Sequence, residues 1–257
     1  MGEFVKMETG EVAGVATLRL DRPKVNALSV PLLLELADCV SELTQRSDIR
    51  AVVLWGGTRA FSAGAELSEL SQDDGDSVGD QISGVFERLE ALPQITISAI
   101  NGYALGGGCE LAMATEFRLL GEKAVLGLPE ILLGIIPGGG GTQRLTRLVG
   151  ITKAKELIYS GRRIPASEAL EIGLASAVYP DDQVYSEALK LAATYAAGPA
   201  ALRQAKRAIT EGSELPLKDA LKLESEAFAA SLETEDARIG MASFFESGPG
   251  KATFTGQ

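Results

Sequence analysis

Apolar residues along this chain switch between two spacings. Short runs rich in strand formers recur first: AVVLW from Ala51 to Trp55, TISAI from Thr96 to Ile100 and FRLL from Phe117 to Leu120. Each is too short for a helix and is bounded by turn residues, so each predicts a buried strand. Val12 to Leu20 partly alternates and ends at Asp21-Arg22-Pro23, which predicts another. Between the runs the spacing lengthens. After Ser29, with Pro31 in the first turn, Leu33, Leu36, Ala37, Val40 and Leu43 fall on one helical face. A second helix is predicted from about Ser77 to Leu92, ahead of Pro93. GGGCELAMA and PGGGGTQRLTRLVG each open a further helix, while Ala124 to Ile136 is apolar without a clear period. The polar, acidic stretch SQDDGDSVGD, residues 71–80, reads as a mobile surface loop.

Alternating strands and helices up to about residue 180 make the fold class α/β. From Asp182 onward the pattern is almost wholly helical. A boundary near Gly198-Pro199 divides residues 1–198 from residues 199–257.

Composition narrows the partners. Asp and Glu total 35 against 24 Lys and Arg, a formal charge of −11. Such a surface repels nucleic acid and anionic lipid, so neither is expected as a partner. No window reaches the roughly 18 apolar residues of a membrane span. The N-terminal MGEFVKMETG has no apolar run of signal-peptide length. Two cysteines, Cys39 and Cys109, fit a reducing, cytoplasmic setting better than a disulfide scaffold.

The chain contains no histidine. Histidine-dependent nucleophiles and histidine zinc sites are therefore excluded, and acid–base work falls to Asp, Glu, Lys, Tyr or Cys. The glycine runs fit neither common nucleotide fingerprint. Gly102 to Gly107 has the spacing of a phosphate loop but is followed by Gly108-Cys109, not Lys-Ser/Thr. Another use remains open. Glycines at a helix start leave backbone N–H groups reachable by a developing oxyanion, and Glu110 sits one turn behind them. Equally, Glu110 fits as a first-turn carboxylate complementing the helix dipole. FSAGAEL offers a second small-residue turn at Ala63-Gly64-Ala65. LGLPEILLG places Glu130 in an apolar setting with no basic neighbour in sequence. That setting suits a proton donor with a raised pKa, and it suits a plain Pro-Glu helix opening as well.

Six stretches together resemble the crotonase, or enoyl-CoA hydratase/isomerase, superfamily: DRPKVNAL, FSAGAEL, NGYALGGGCELAM, LPEILLGIIPGGGGTQRL, SGRRIPASEALEIGLASAV and ARIGMASFFE. They run in family order through nearly the whole chain. The resemblance implies a spiral of repeated ββα units carrying the active site in residues 1–198. It implies a helical oligomerisation region in 199–257 that builds a trimer or a dimer of trimers. The implied substrate is an acyl thioester of coenzyme A, with its thioester oxygen between the N–H groups of Ala65 and Gly107. The implied reaction is reversible syn hydration of a trans-2-enoyl-CoA to a 3-hydroxyacyl-CoA. Glu110 and Glu130 are the implied acid–base pair, and the Gly138 N–H helps hold the water. Lys24, Ala63, Glu66 and Leu67 are the implied contacts to substrate and coenzyme A. No metal or redox cofactor is implied, because coenzyme A belongs to the substrate. Glu66 and Glu116 stand where the family more often has Asp, and SFFESG lacks the family's terminal basic pair. The alternatives on the same fold are an enoyl-CoA delta-isomerase, which needs only the Glu130 position, and a non-catalytic acyl-CoA-binding protein.

Overall fold

A computed structural model describes residues 2–70 and 76–257. In chain order its strands are β1 (Val5–Thr9), β2 (Val15–Leu20), β3 (Ala51–Trp55), β4 (Ile95–Ile100), β5 (Tyr103–Leu105), β6 (Phe117–Gly121), β7 (Val125–Gly127), β8 (Ile164–Pro165) and β9 (Ala177–Tyr179). Its helices are α1 (Val30–Thr44), α2 (Leu67–Leu70), α3 (Asp76–Glu90), α4 (Gly107–Met113), α5 (Gly141–Val149), α6 (Ile151–Ser160), α7 (Ala166–Glu171), α8 (Val184–Ala196), α9 (Ala201–Gly212), α10 (Leu217–Leu232) and α11 (Glu235–Ser247). A 3-10 helix spans Pro129–Leu133.

Two sheets organise the chain. The larger has the order β1-β2-β3-β4-β6-β9; β1 and β2 are antiparallel and every later pair is parallel. Its central strands β2, β3, β4 and β6 are buried on both faces, which explains the unbroken apolar runs. Val52 and Leu54 enter one core with α1, α3 and α4, whereas Ala51 and Val53 enter another with α8. The smaller sheet has the order β5-β7-β8. Two successive units send one strand to the large sheet, turn, and send a short strand to the small one. β4 turns at Asn101-Gly102 into β5, and β6 turns into β7 within four residues. A single parallel bridge from Ser62 to Ala104 brings FSAGAEL alongside β5, and one from Leu28 to Ala65 brings the end of DRPKVNAL there too. That small layer is where the glycine turns meet.

The expected helix after Ser29 forms as Val30–Thr44, with Leu32, Leu33, Leu36, Ala37, Val40 and Leu43 buried. The N-terminal stretch, for which no element was predicted, forms β1, which pairs along β2 from Val5–Leu20 to Thr9–Ala16. Within the expected loop at 71–80, residues 76–80 belong to α3, and residues 71–75 lie outside the described ones.

Gly198-Pro199 falls between α8, which packs on the large sheet, and the α9–α10 pair. The buried Lys206 ammonium ties α9 back to the core. It donates to the Gln94 carbonyl at 2.8 Å and pairs with Glu116 at 2.8 Å. Among the described residues no helix is long and apolar enough to cross a membrane.

Candidate active site

The first glycine turn is built by Asn26 and Ser62. Asn26 adopts the left-handed region, φ 52°, which asparagine tolerates better than most residues. Its amide nitrogen donates to the carbonyls of Gly56, Ala60 and Phe61 at 2.8–3.0 Å, so DRPKVNAL is fixed against the start of FSAGAEL. Ser62 Oγ donates to the Asn26 carbonyl at 2.7 Å. Gly64 then turns at φ +102°, and a β-carbon there would lie 2.8 Å from the Leu105 carbonyl oxygen. Only glycine suits both demands. On either side of Ala65 the backbone is committed: Leu28 N–H donates to Gly64 and Glu66 N–H to Leu28. Among the described residues the Ala65 N–H itself has no acceptor.

The second turn opens α4. Gly106, at φ 53°, precedes the helix, and its N–H donates to Gly127 on β7 at 2.9 Å. A β-carbon on Gly107 would sit 3.5 Å from the Ala65 nitrogen, so the two backbone segments lie side by side. The Gly107 N–H, in the first turn of α4, also lacks an acceptor among the described residues. The arrangement can hold one oxyanion between two preorganised donors.

Glu110 lies one turn further along α4 and is 2% exposed. Its Oε1 accepts two backbone hydrogen bonds, from Gly139 at 2.8 Å and Gly141 at 2.7 Å. Burial raises its pKa, while those N–H groups and the Arg144 charge act in the opposite sense. Glu130 stands in the 3-10 helix that Pro129 opens. Its Oε2 is buried with no hydrogen-bond partner among the described residues, and its Oε1 would be 3.2 Å from a β-carbon on Gly106. Burial, chiefly, and then the charge of Glu110 push its carboxyl up to about 7, against a hydrogen bond from its own backbone. The structure therefore gathers Ala65, Gly107, Glu110 and Glu130 around the same glycine turns.

Gly138 borders open space, for a β-carbon there meets nothing within 4 Å. The N–H groups that reach Glu110 belong to Gly139 and Gly141, which the sequence did not single out. The signal was the run of four glycines, Gly138 to Gly141, that leads into α5, but nothing local ranks one N–H above another.

The remaining expected contacts are arranged differently. Lys24 lines a cavity of about 180 Å³ together with Arg19, Arg22 and Arg59. Its neighbour Val25 accepts the Ala63 N–H at 3.0 Å, which links that basic cavity to the Ala65 turn. Glu66 is engaged by Arg22 at 3.0 Å, and this ion pair lowers its pKa. Leu67 opens α2 and is 56% exposed. No hydrogen bond joins Lys24, Glu66 or Leu67 to either glutamate among the described residues. Among the same residues no group of three or more His, Cys, Asp or Glu is placed to hold a metal ion.

Known proteins share this arrangement of sequence and fold. The chain is similar to YngF of Bacillus subtilis, 48% identical over 238 residues that cover 90% of this chain and 92% of YngF. It is 41% identical to the short-chain-enoyl-CoA hydratase of Clostridium acetobutylicum, over 90% of this chain and 91% of that protein. The crystal structure of an enoyl-CoA hydratase from Bacillus anthracis superposes with a TM-score of 0.93 at 39% identity, covering 99% of this chain and 100% of that one. The crotonase-like fold expected from the sequence is therefore the fold found. The family profile described as enoyl-CoA hydratase/isomerase matches residues 10–257, and this chain belongs to that family.

Proposed function

We propose that this chain is an enoyl-CoA hydratase, adding water reversibly and syn across a trans-2-enoyl-CoA to give a 3-hydroxyacyl-CoA. The observation that carries the reading is the pairing of the buried Glu110 carboxyl with the half-buried Glu130 carboxyl, whose Oε2 is buried, beside the Ala65 and Gly107 N–H groups that have no acceptor among the described residues. A relative of this length and similarity is named a short-chain-enoyl-CoA hydratase, and another, from Syntrophomonas wolfei, a crotonyl-CoA hydratase.

The chemistry follows from the partners of each group. The thioester oxygen gains negative charge as water adds at Cβ, and two fixed N–H donors stabilise that charge; losing one such donor costs about 3 kcal/mol. Glu110, held by two N–H groups on Oε1, acts as the base and takes a proton from water. Glu130, with its carboxyl raised to about 7, supplies the proton that Cα receives. Gly138 N–H helps position the water. Dehydration reverses both roles. The reaction balances without a metal or a redox cofactor, and coenzyme A arrives as part of the substrate.

Lys24, with the neighbouring arginines, receives the phosphates of coenzyme A, and Ala63, Glu66 and Leu67 border the channel leading to Ala65. The exposed apolar side chains of Ile209, Leu217, Phe228, Phe244 and Phe245 on α9–α11 support assembly into a trimer or a dimer of trimers. The two free cysteines accord with a cytoplasmic setting.

The test is loss of the conjugated enoyl-thioester absorbance with crotonyl-CoA, run beside Glu110→Gln and Glu130→Gln. Each single change is expected to lower turnover about 100-fold or more. Near-normal hydration by Glu110→Gln would favour an isomerase-like site, and no hydration by the wild type would leave only thioester binding.

A further inference from the structure

The loop that holds Glu110 is itself held. Gly139 and Gly141 donate to the carboxylate, but glycine-rich backbone has many other conformations open to it. Something must select this one. Arg144, on the first turn of α5, reaches back over the loop: its Nη1 donates to the Gly139 carbonyl at 2.9 Å. Its Nε and Nη2 both donate to Glu90 Oε2, at 3.1 and 2.7 Å, on α3. The guanidinium is largely buried, with 13% of the side chain exposed. Gly140, at φ +95°, makes room for it, because a β-carbon there would overlap the guanidinium. The planar fork thus joins two elements through one loop carbonyl, a geometry a lysine cannot reproduce.

We propose that Arg144 is a positioning residue for Glu110, fixing the Gly138–Gly141 loop through the Gly139 carbonyl and the Glu90 carboxylate so that two N–H groups converge on Oε1. The inference rests on the hydratase reading only in calling Glu110 the base. Its electrostatic side follows from the surroundings. The charged and titratable groups facing Glu110 are Arg144 on α5, Glu130 on the 3-10 helix and the Cys109 thiol on α4. Burial pushes that thiol up to about 12, so it stays neutral. α3 presents the apolar Ile82 and Phe86 near Gly139, and its Glu90 is paired with Arg144. Arg144 is therefore the cation favouring the ionised base, and its removal shifts the Glu110 titration to higher pH.

The experiment compares wild type, Arg144→Met and Arg144→Lys by two readouts. The first is the titration of the Glu110 carboxyl by difference infrared spectroscopy, with Glu110→Gln as the subtraction control. It needs no turnover, so it tests the positioning even if crotonyl-CoA proves not to be a substrate. The second is kcat and KM for crotonyl-CoA. Arg144→Met is expected to titrate at higher pH and to lose about 10- to 100-fold in kcat, with KM within about threefold, as a small displacement of a catalytic group does. Arg144→Lys keeps the charge but not the fork, so its titration moves up less than that of Arg144→Met while kcat still falls. A wild-type titration in Arg144→Met, or full kcat in Arg144→Lys, overturns the proposal. If Arg144→Met does not fold, Glu90→Gln takes its place. It loosens the anchor and is expected to lower kcat several-fold at constant KM, and wild-type kcat there overturns the proposal as well.

Discussion

Replacing Glu130 by glutamine should stabilise the protein while disabling it, and the pH at which this happens is fixed by the site. The carboxyl is raised from an ordinary 4.5 to about 7, mainly by burial. An acid with a raised folded pKa binds more protons folded than unfolded, so folding is penalised as pH rises. The penalty is absent below about 4.5, grows between about 4.5 and 7, and is complete above about 7. A tenfold change in proton affinity is worth about 1.4 kcal/mol, and the carboxyl keeps some contact with solvent, so a realistic penalty is about 1–2 kcal/mol. Glutamine removes the charge but keeps a polar atom in place of the unpartnered Oε2, which holds the gain toward the lower end. For a chain of this size the melting temperature of Glu130→Gln should exceed that of wild type by about 2–6 °C at alkaline pH. Near pH 4.5 the difference should vanish. Thermal unfolding at matched protein concentration measures it, since any assembly makes melting concentration-dependent. Equal or lower melting of the variant at alkaline pH would mean that Glu130 is not a desolvated carboxyl.

Three further outcomes follow from the same geometry. With the proposed roles, hydration needs Glu110 ionised and Glu130 protonated, so kcat/KM for crotonyl-CoA should decline on the alkaline side from about pH 7 and on the acid side from above Glu110's ordinary range. A profile flat from about pH 6 to about pH 9 would remove Glu130 as the acid. Gly64→Ala forces a β-carbon toward the Leu105 carbonyl at φ +102° and displaces the Ala65 N–H; kcat should fall about 100-fold, the cost of one oxyanion donor. An unchanged kcat would place the oxyanion elsewhere. Lys24→Ala should raise KM about 10-fold for crotonyl-CoA and leave the phosphate-free crotonyl-pantetheine unaffected, as expected on losing one charge-assisted hydrogen bond. Equal effects on the two substrates would remove Lys24 from the phosphates.

The sequence was most legible where one residue contradicted its surroundings. Glu110 stands in an apolar run and Glu130 in an apolar loop, so both drew notice without any fold. Central strands were legible too, because burial on both faces leaves continuous runs such as AVVLW. What escaped depends on partners remote in sequence. β5, β7 and β8 have three, three and two residues, too few for periodicity, and exist through pairs such as Tyr103 with Val125. β1 is defined by Leu20 and its neighbours, not by its own mixed composition. Glu66 was expected along the substrate channel, but only the fold reveals that Arg22 engages its carboxylate.

The glycine runs divide one resource, the backbone N–H, between two tasks. At Ala65 and Gly107 the turns leave N–H groups without an acceptor among the described residues, so these donors are ready for a developing charge. At Gly139 and Gly141 the same kind of backbone gives its N–H groups to Glu110. That gift separates two otherwise similar acids. Glu110 is the more buried, yet two N–H donors and a nearby arginine favour its charged form; Glu130 keeps an oxygen with no partner and faces Glu110's charge. On the proposed reading, the first is suited to accept a proton and the second to give one. It also accounts for three of the four consecutive glycines at 138–141, where one glycine would suffice for a turn. Gly139 lies against the carboxylate, Gly140 yields to Arg144, and Gly141 completes the pair of donors.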